Sequence, residues 1–123
     1  MIVFTASAAM VELVQELRAN GIRLGVLTNN VLEFRENWRS MIPFDEWFDD
    51  IVDSHEVGLR KPNPAIYQLA LARLGAQPGR TAFLDDVLTN VSAAESVGIR
   101  GVLVEEDPTE AIAIVRRLAG LIA

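Results

Sequence analysis

Short apolar runs rich in β-branched residues alternate along the chain with stretches of helical periodicity. Ile2-Val3-Phe4 reads as a first strand, and Met10, Leu13, Val14 and Leu17 then mark one stripe of a helix that stops at Asn20-Gly21. Ile22 to Leu27 reads as a second strand, Glu33 to Ser40 as a short helix, and Ile51-Val52 as a third strand. Aromatics at Trp38, Phe44, Trp47 and Phe48 gather before that third strand and are expected to form a packed corner. A loop from Ser54 to Asn63 leads to Pro64, a suitable first helical residue, and Ile66, Leu69, Ala70 and Leu74 give that helix its buried face, with Gly75 at its end. Pro78-Gly79 turns the chain into a fourth strand, Thr81 to Leu84. A helix from about Thr89 to Val97, a fifth strand from Gly101 to Val104 and a final helix from Pro108 through Leu121 complete the pattern.

Five strands alternating with five helices imply a parallel sheet covered on both faces, because each crossover helix must bury its apolar stripe against the sheet. Right-handed crossovers then give a Rossmann-like three-layer αβα sandwich, in which ligands bind beyond the carboxyl ends of the strands. The polar residues that end the strands therefore share one edge: Thr5-Ala6-Ser7, Thr28-Asn29 and Asp85-Asp86, with Lys61-Pro62 in the loop after strand three. The stop on the first strand carries hydroxyls and no acid. No internal repeat, low-complexity segment or linker interrupts the chain, so residues 1–123 are expected to form a single domain.

Composition narrows the function classes. With 123 residues, half of them hydrophobic, the chain can bury its own core. A formal charge of −6 without a basic run disfavours nucleic acid. No apolar stretch is long enough to span a bilayer and the start lacks a basic leader, so a cytoplasmic location is expected. The absence of cysteine excludes disulfides and thiolate metal sites, and the one histidine excludes a histidine cluster. Neither G-x-x-x-x-G-K-[ST] nor G-x-G-x-x-G is present, and a response-regulator receiver would carry its acids, phosphorylatable aspartate and lysine on different strands.

The order Thr, Lys, Asp-Asp has one close parallel. Val26-Leu27-Thr28-Asn29, the run Glu56 to Tyr67 containing Arg60-Lys61-Pro62-Asn63-Pro64, and Phe83-Leu84-Asp85-Asp86-Val87-Leu88-Thr89-Asn90 resemble motifs two, three and four of the haloacid dehalogenase-like (HAD) hydrolases, of the subgroup of phosphatases and epoxide-hydrolase N-domains. The resemblance spans roughly residues 20 to 105 and implies a five-stranded sheet of order 5-4-1-2-3. It also implies a phosphate-monoester site with Mg²⁺. Thr28 and Asn29 would hold phosphoryl oxygens, Lys61 would neutralise phosphate and carboxylates, and Asp86 would ligate Mg²⁺ with Asp85 and Asn90 in support. Each has a plainer reading beside it: a strand-end turn for Thr28, a solvated loop lysine for Lys61, and helix capping for the aspartates.

Two departures from the family pattern shape the expectation. The family's chemistry begins with an aspartate nucleophile at the end of strand one and an acid/base aspartate two positions later; here those places fall to Thr5 and Ser7. A threonine hydroxyl is a weak nucleophile without a base, and a serine does not shuttle protons near neutral pH. Loss of the first carboxylate also removes a metal ligand, so Mg²⁺ binding is expected to be weak or absent. The stretch between Ser7 and Ile22 is long enough for one crossover helix only, which leaves no room for the family's usual cap. The sequence thus predicts a capless hydrolase-family core, 1–123, with impaired catalysis. The alternatives are a non-catalytic binder of a small phosphorylated ligand, a protein partner or a second copy over the open site, or a fragment of an active phosphatase or dehalogenase; a complete domain is favoured over a fragment. The carboxylates Asp45, Asp49, Asp50 and Asp53 are expected to be solvated or capping.

Overall fold

The structure, a computed structural model, describes residues 1–5, 11–28 and 44–122, with Phe44, Asp45, His55 and Glu56 described in backbone only. Five strands form one parallel sheet of order β3-β2-β1-β4-β5, the expected order read from the opposite edge: β1 Ile2–Phe4, β2 Leu24–Thr28, β3 Asp50–Asp53, β4 Ala82–Asp85 and β5 Arg100–Leu103. The principal helices are α1 Val11–Ala19, α4 Pro64–Leu74, α5 Leu88–Ser96 and α6 Thr109–Leu118; α2 Phe44–Trp47 and α3 Ser54–Val57 are single turns. No helix of the described residues is long and apolar enough to cross a membrane.

Side-chain alternation along the strands builds the three layers. Ile2, Phe4, Leu24, Val26, Ala82, Leu84 and Val102 pack on one face with Leu13, Val14 and Leu17 of α1 and Ala111 and Val115 of α6. Val3, Leu27, Val52 and Phe83 point to the other face, against Ile66, Tyr67, Ala70 and Leu74 of α4 and Ala94 of α5. Near-continuous apolar strands are what a sheet buried on both sides requires. β1 lies at the centre, pairing Phe4 with Val26 of β2 and with Leu84 of β4.

Several boundaries differ from the sequence reading. The Ser54 to Asn63 loop begins with the α3 turn, Pro78–Arg80 is a turn of 3₁₀ helix, and β4 and β5 run Ala82–Asp85 and Arg100–Leu103, each one residue displaced. On α4 it is Tyr67, not Leu69, that is fully buried, because the stripe facing the sheet is centred between Ile66 and Tyr67. Gly75 ends α4 as expected, at φ 59° and ψ 35°, in the left-handed region that a glycine enters without a Cβ clash. In the aromatic corner, Phe48 meets Phe4 edge to face at 6.2 Å and Trp47 packs against the same cluster. The helix expected over Glu33 to Ser40, together with Met10 and Trp38, lies outside the described residues.

Gly101 fixes the approach of β5 to α5. A Cβ at this position would stand 2.6 Å from Val91 Cγ1 and 2.8 Å from Glu95 Cγ. Val91 is buried and β-branched, so its χ1 is strongly restricted and it yields little. Gly101→Ala is therefore expected to destabilise the fold by about 1–3 kcal/mol, read as a lower urea midpoint at an unchanged slope.

Candidate functional site

The carboxyl edge of the sheet gathers the polar strand ends. Thr5 follows β1 directly, its N–H donating to Leu84 O at 2.9 Å, and so stands beside Asp85, the last residue of β4. Thr28 ends β2 and lies in register with Asp53, the last residue of β3. Thr5, Thr28, Asp53, Lys61, Asp85 and Asn90 are all buried.

Asp85 is the hub. Its Oδ1 accepts the Val87 N–H at 2.9 Å, a local side-chain turn that positions the start of α5. Its Oδ2 accepts from Lys61 Nζ and from Asn90 Nδ2, both at 3.0 Å. Lys61 reaches in from the loop between α3 and α4 and also donates to Thr5 Oγ1 at 2.8 Å. The ion pair is dry, with Lys61 and Asp85 side chains 4% and 1% exposed, and the ammonium sits 5.7 Å from the centre of the Phe83 ring. Tyr67 crosses from α4 to donate its hydroxyl to Asn90 O at 2.9 Å and meets Phe83 edge to face at 5.3 Å.

Burial lowers the Lys61 pKa from its ordinary value, opposed by the charge and hydrogen bond of Asp85 and by the charge of Asp86. Burial, then the nearby Asp85 charge, pushes the Tyr67 phenol upward, which keeps it a neutral donor. The ammonium pairs with Asp85, and Asp86 lies exposed at the rim.

The structure thus joins Thr5, Lys61, Asp85 and Asn90 by direct hydrogen bonds and places Thr28 on the same edge. Ser7 and Asn29 lie outside the described residues. Of the acids expected to be solvated or capping, Asp49 accepts the Leu24 N–H at 2.7 Å and Asp50 pairs with Arg73 at 2.7 Å. Asp53 departs from that expectation: it is 2% exposed, because β3 extends one residue beyond the apolar pair Ile51-Val52 and carries its carboxylate into the edge beside Thr28. The side chain of Asp45 lies outside the described residues. Tyr67 was absent from the expected site; its place immediately after Ile66 on an apolar helix face was the available signal.

Among the described residues, the hub around Asp85 offers a resident Mg²⁺ few free donors. The ion takes hard oxygens in near-octahedral array, preferably with carboxylates to balance its charge. Among the described residues no group of three His, Cys, Asp or Glu side chains is arranged to hold a metal. Asp85 already receives three donors, one of them an ammonium, and Thr5 contributes a hydroxyl that accepts from that same ammonium.

Removing Asp85 would take from the buried ammonium the carboxylate it meets at 3.0 Å. Asp85→Ala is expected to cost about 3–5 kcal/mol in urea unfolding, well beyond a typical surface substitution. The lysine also gives a pH signature. Its folded-state pKa lies below the ordinary 10.5, so between the two values the unfolded chain binds the extra proton. The cost of burying the ammonium is full below the folded value and is relieved as pH rises toward 10.5. The native chain should accordingly gain stability relative to Lys61→Met across that alkaline window, measured by parallel urea titrations at successive pH values.

Comparison with known proteins agrees with this arrangement. A family model described as "haloacid dehalogenase-like hydrolase" matches residues 6–98. The mouse protein "Acyl-CoA dehydrogenase family member 10" is 39% identical over 101 residues, a match covering 81% of this chain and 9% of that protein. "Glyceraldehyde 3-phosphate phosphatase" of Methanothermobacter thermautotrophicus is 33% identical over 99 residues, covering 78% of this chain and 43% of the relative. The chain thus spans less than half the length of either. A solved structure of an uncharacterized protein from Corynebacterium glutamicum superposes with a TM-score of 0.82 over 99% of this chain and 96% of its own, at 22% identity, a likeness of fold. The fold, the three ordered motifs and the family match over most of its length agree that the chain belongs to the haloacid dehalogenase-like hydrolases.

Proposed function

We propose that the carboxyl edge is a phosphatase-type site that holds a phosphoryl or related oxyanion and turns it over weakly or not at all. The observation that carries this reading is the pair Thr5–Lys61. The family match begins at residue 6, so the assignment of Thr5 to the nucleophile's place rests on the central position of β1 and on its contact with Lys61. A hydroxyl attacks only when a neighbour removes its proton, and the neighbour here is an ammonium that donates to the hydroxyl oxygen. That contact draws electron density away from the oxygen. Oxyanion binding needs less: donors from the strand ends, with Thr28 and Asn29 proposed for the phosphoryl oxygens and Lys61 for charge. Ser7 is proposed for the acid/base place, where its hydroxyl has no accessible protonation state for the task. Asp86, backed by Asp85 and Asn90, is the proposed point of contact for Mg²⁺, held weakly.

The open edge belongs to the same reading, since the described residues between β1 and β2 contribute α1 alone. A second reading, in which a protein partner or a second copy covers this edge, is favoured by one observation. Val87 and Leu88, directly after Asp86, are 46% and 62% exposed although both are apolar.

With p-nitrophenyl phosphate and Mg²⁺, the native chain is expected to show turnover at background, while Thr5→Asp/Ser7→Asp gains about 10²-fold or more. Calorimetry of the native chain with inorganic phosphate should register binding. Robust Mg²⁺-dependent turnover by the native chain, abolished in Asp86→Ala, would overturn the reading.

A further inference from the structure

We propose a second binding site at the amino edge of the sheet, opposite the motif residues: a cavity between Arg80 and Arg100 that takes a small soluble dianion of the phosphate-monoester kind with a short apolar tail. It is independent of what the carboxyl edge does.

Parallel pairing brings the start of every strand to one edge, as it brings the ends to the other. Arg100 opens β5 directly opposite Ala82 of β4, and Arg80 precedes β4 at the end of the 3₁₀ turn. Alternation puts Arg100 on the face of Val102, which packs toward α1 and α6, and away from the face of Gly101, where a Cβ would meet Glu95. Both arginines line a cavity of about 200 Å³ together with Ile2, Ile22, Ala82 and Leu118. An adjoining cavity of about 400 Å³ shares Arg80 and adds Arg23. Among the described residues that line the two there is no carboxylate.

Arginine at this edge also has a plainer duty, since helices end here and their last carbonyls carry partial negative charge. Arg23 performs it, donating to Leu74 O at the end of α4. Arg73 and Arg116 are held by Asp50 and Glu16. Arg80 and Arg100 differ from all three: both are exposed, and among the described residues neither guanidinium meets a carbonyl or a carboxylate. The end of α6 beside them makes no demand on them, because the Gly120 and Leu121 N–H groups already donate to Arg117 O and Arg116 O. Two full positive charges therefore border one cavity without a counter-charge, on a chain whose formal charge is −6.

The chemistry of the lining selects the ligand. A guanidinium is a planar fork that matches phosphate or carboxylate oxygens, and two such charges balance one dianion, which favours a phosphate monoester over a carboxylate. The floor is apolar, with Ile2 and Ala82 buried, and Leu118 at the mouth is 48% exposed, so a short tail has surface to cover. The net negative charge opposes approach to an anionic bilayer, which leaves a soluble molecule as the occupant.

Phenylphosphonate carries such a head and tail and has no ester bond to break, so it serves as the probe, at a pH above its second ionisation. Amide spectra of the nitrogen-labelled chain report where it binds. Titration is expected to move the amides of Thr81, Arg100, Gly101 and Ala119, at the amino edge. Inorganic phosphate should bind there about tenfold more weakly, for want of the tail. Arg80→Gln and Arg100→Gln should each weaken phenylphosphonate about fivefold, and Leu118→Asp should remove its advantage over inorganic phosphate. All three positions are exposed, and an unchanged urea midpoint checks that each variant keeps the fold. Shifts confined to the carboxyl edge, at Thr28 and Val87, would overturn the proposal, as would an affinity that both arginine variants leave unchanged. Equal binding of inorganic phosphate and phenylphosphonate would overturn the tail. Failure of the functional reading is read elsewhere, in Mg²⁺-dependent turnover or in the Thr28 and Val87 amides ignoring phosphate.

Discussion

One buried ion pair organises the functional edge. Lys61 and Asp85 meet at 3.0 Å in a place that water does not reach, and each is bound to a different part of the fold. Asp85 ends β4 and fixes the entry of α5 through the Val87 N–H. Lys61 comes from the loop ahead of α4 and touches the end of β1 through Thr5. A buried pair of this kind contributes little net stability by itself, because desolvation of both ions consumes most of the Coulombic gain. Its consequence is positional: any arrangement that separates the two loses a close contact between opposite charges in a low-dielectric interior, so the loop and both strand ends are held in one register.

The parallel sheet makes that meeting unavoidable. In a parallel array every strand delivers its last residue to the same edge, and every crossover helix begins there, so polar groups distant in sequence become neighbours without a dedicated scaffold. The two core layers set the precision. Phe83 turns toward the α4–α5 face while Leu84 turns toward α1 and α6, which leaves Asp85 to emerge on the side where Lys61, Tyr67 and Asn90 stand. Tyr67 then ties α4 to α5 through Asn90 O, and its ring meets that of Phe83, over which the ammonium lies.

Much of this was legible in the sequence, and the exceptions have physical causes. Strand order and Asn90 followed from the family resemblance, and Thr5, Lys61 and Asp85 from polar stops on or after apolar runs. Boundaries moved because hydrogen-bonded pairing, not apolar content, ends a strand: Asp85 and Asp53 belong to β4 and β3 although both are charged. That same rule hid the burial of Asp53, whose composition suggests solvent while its register with Thr28 places it inside the edge. The α3 turn carries no apolar periodicity over Ser54–Val57 and so had no signal of its own. Tyr67 was hidden for the opposite reason, as an aromatic on an apolar face reads as core until the position of its hydroxyl is known.

The motif residues also have duties that do not depend on turnover. Asp85 positions a helix, Asn90 and Lys61 satisfy Asp85, Tyr67 restrains the Asn90 turn, and Thr5 accepts from the ammonium. Every one of these groups is enclosed, and an enclosed polar group left without a partner costs more than the net value of the bond it loses. Retaining the constellation therefore contributes to stability whether or not the chain turns over a substrate. The three ordered motifs are therefore strong evidence for the fold and for the polar hub, and they carry much less information about catalysis. Position 5, where a hydroxyl accepts from the Lys61 ammonium, is where the proposed function departs from that shared framework.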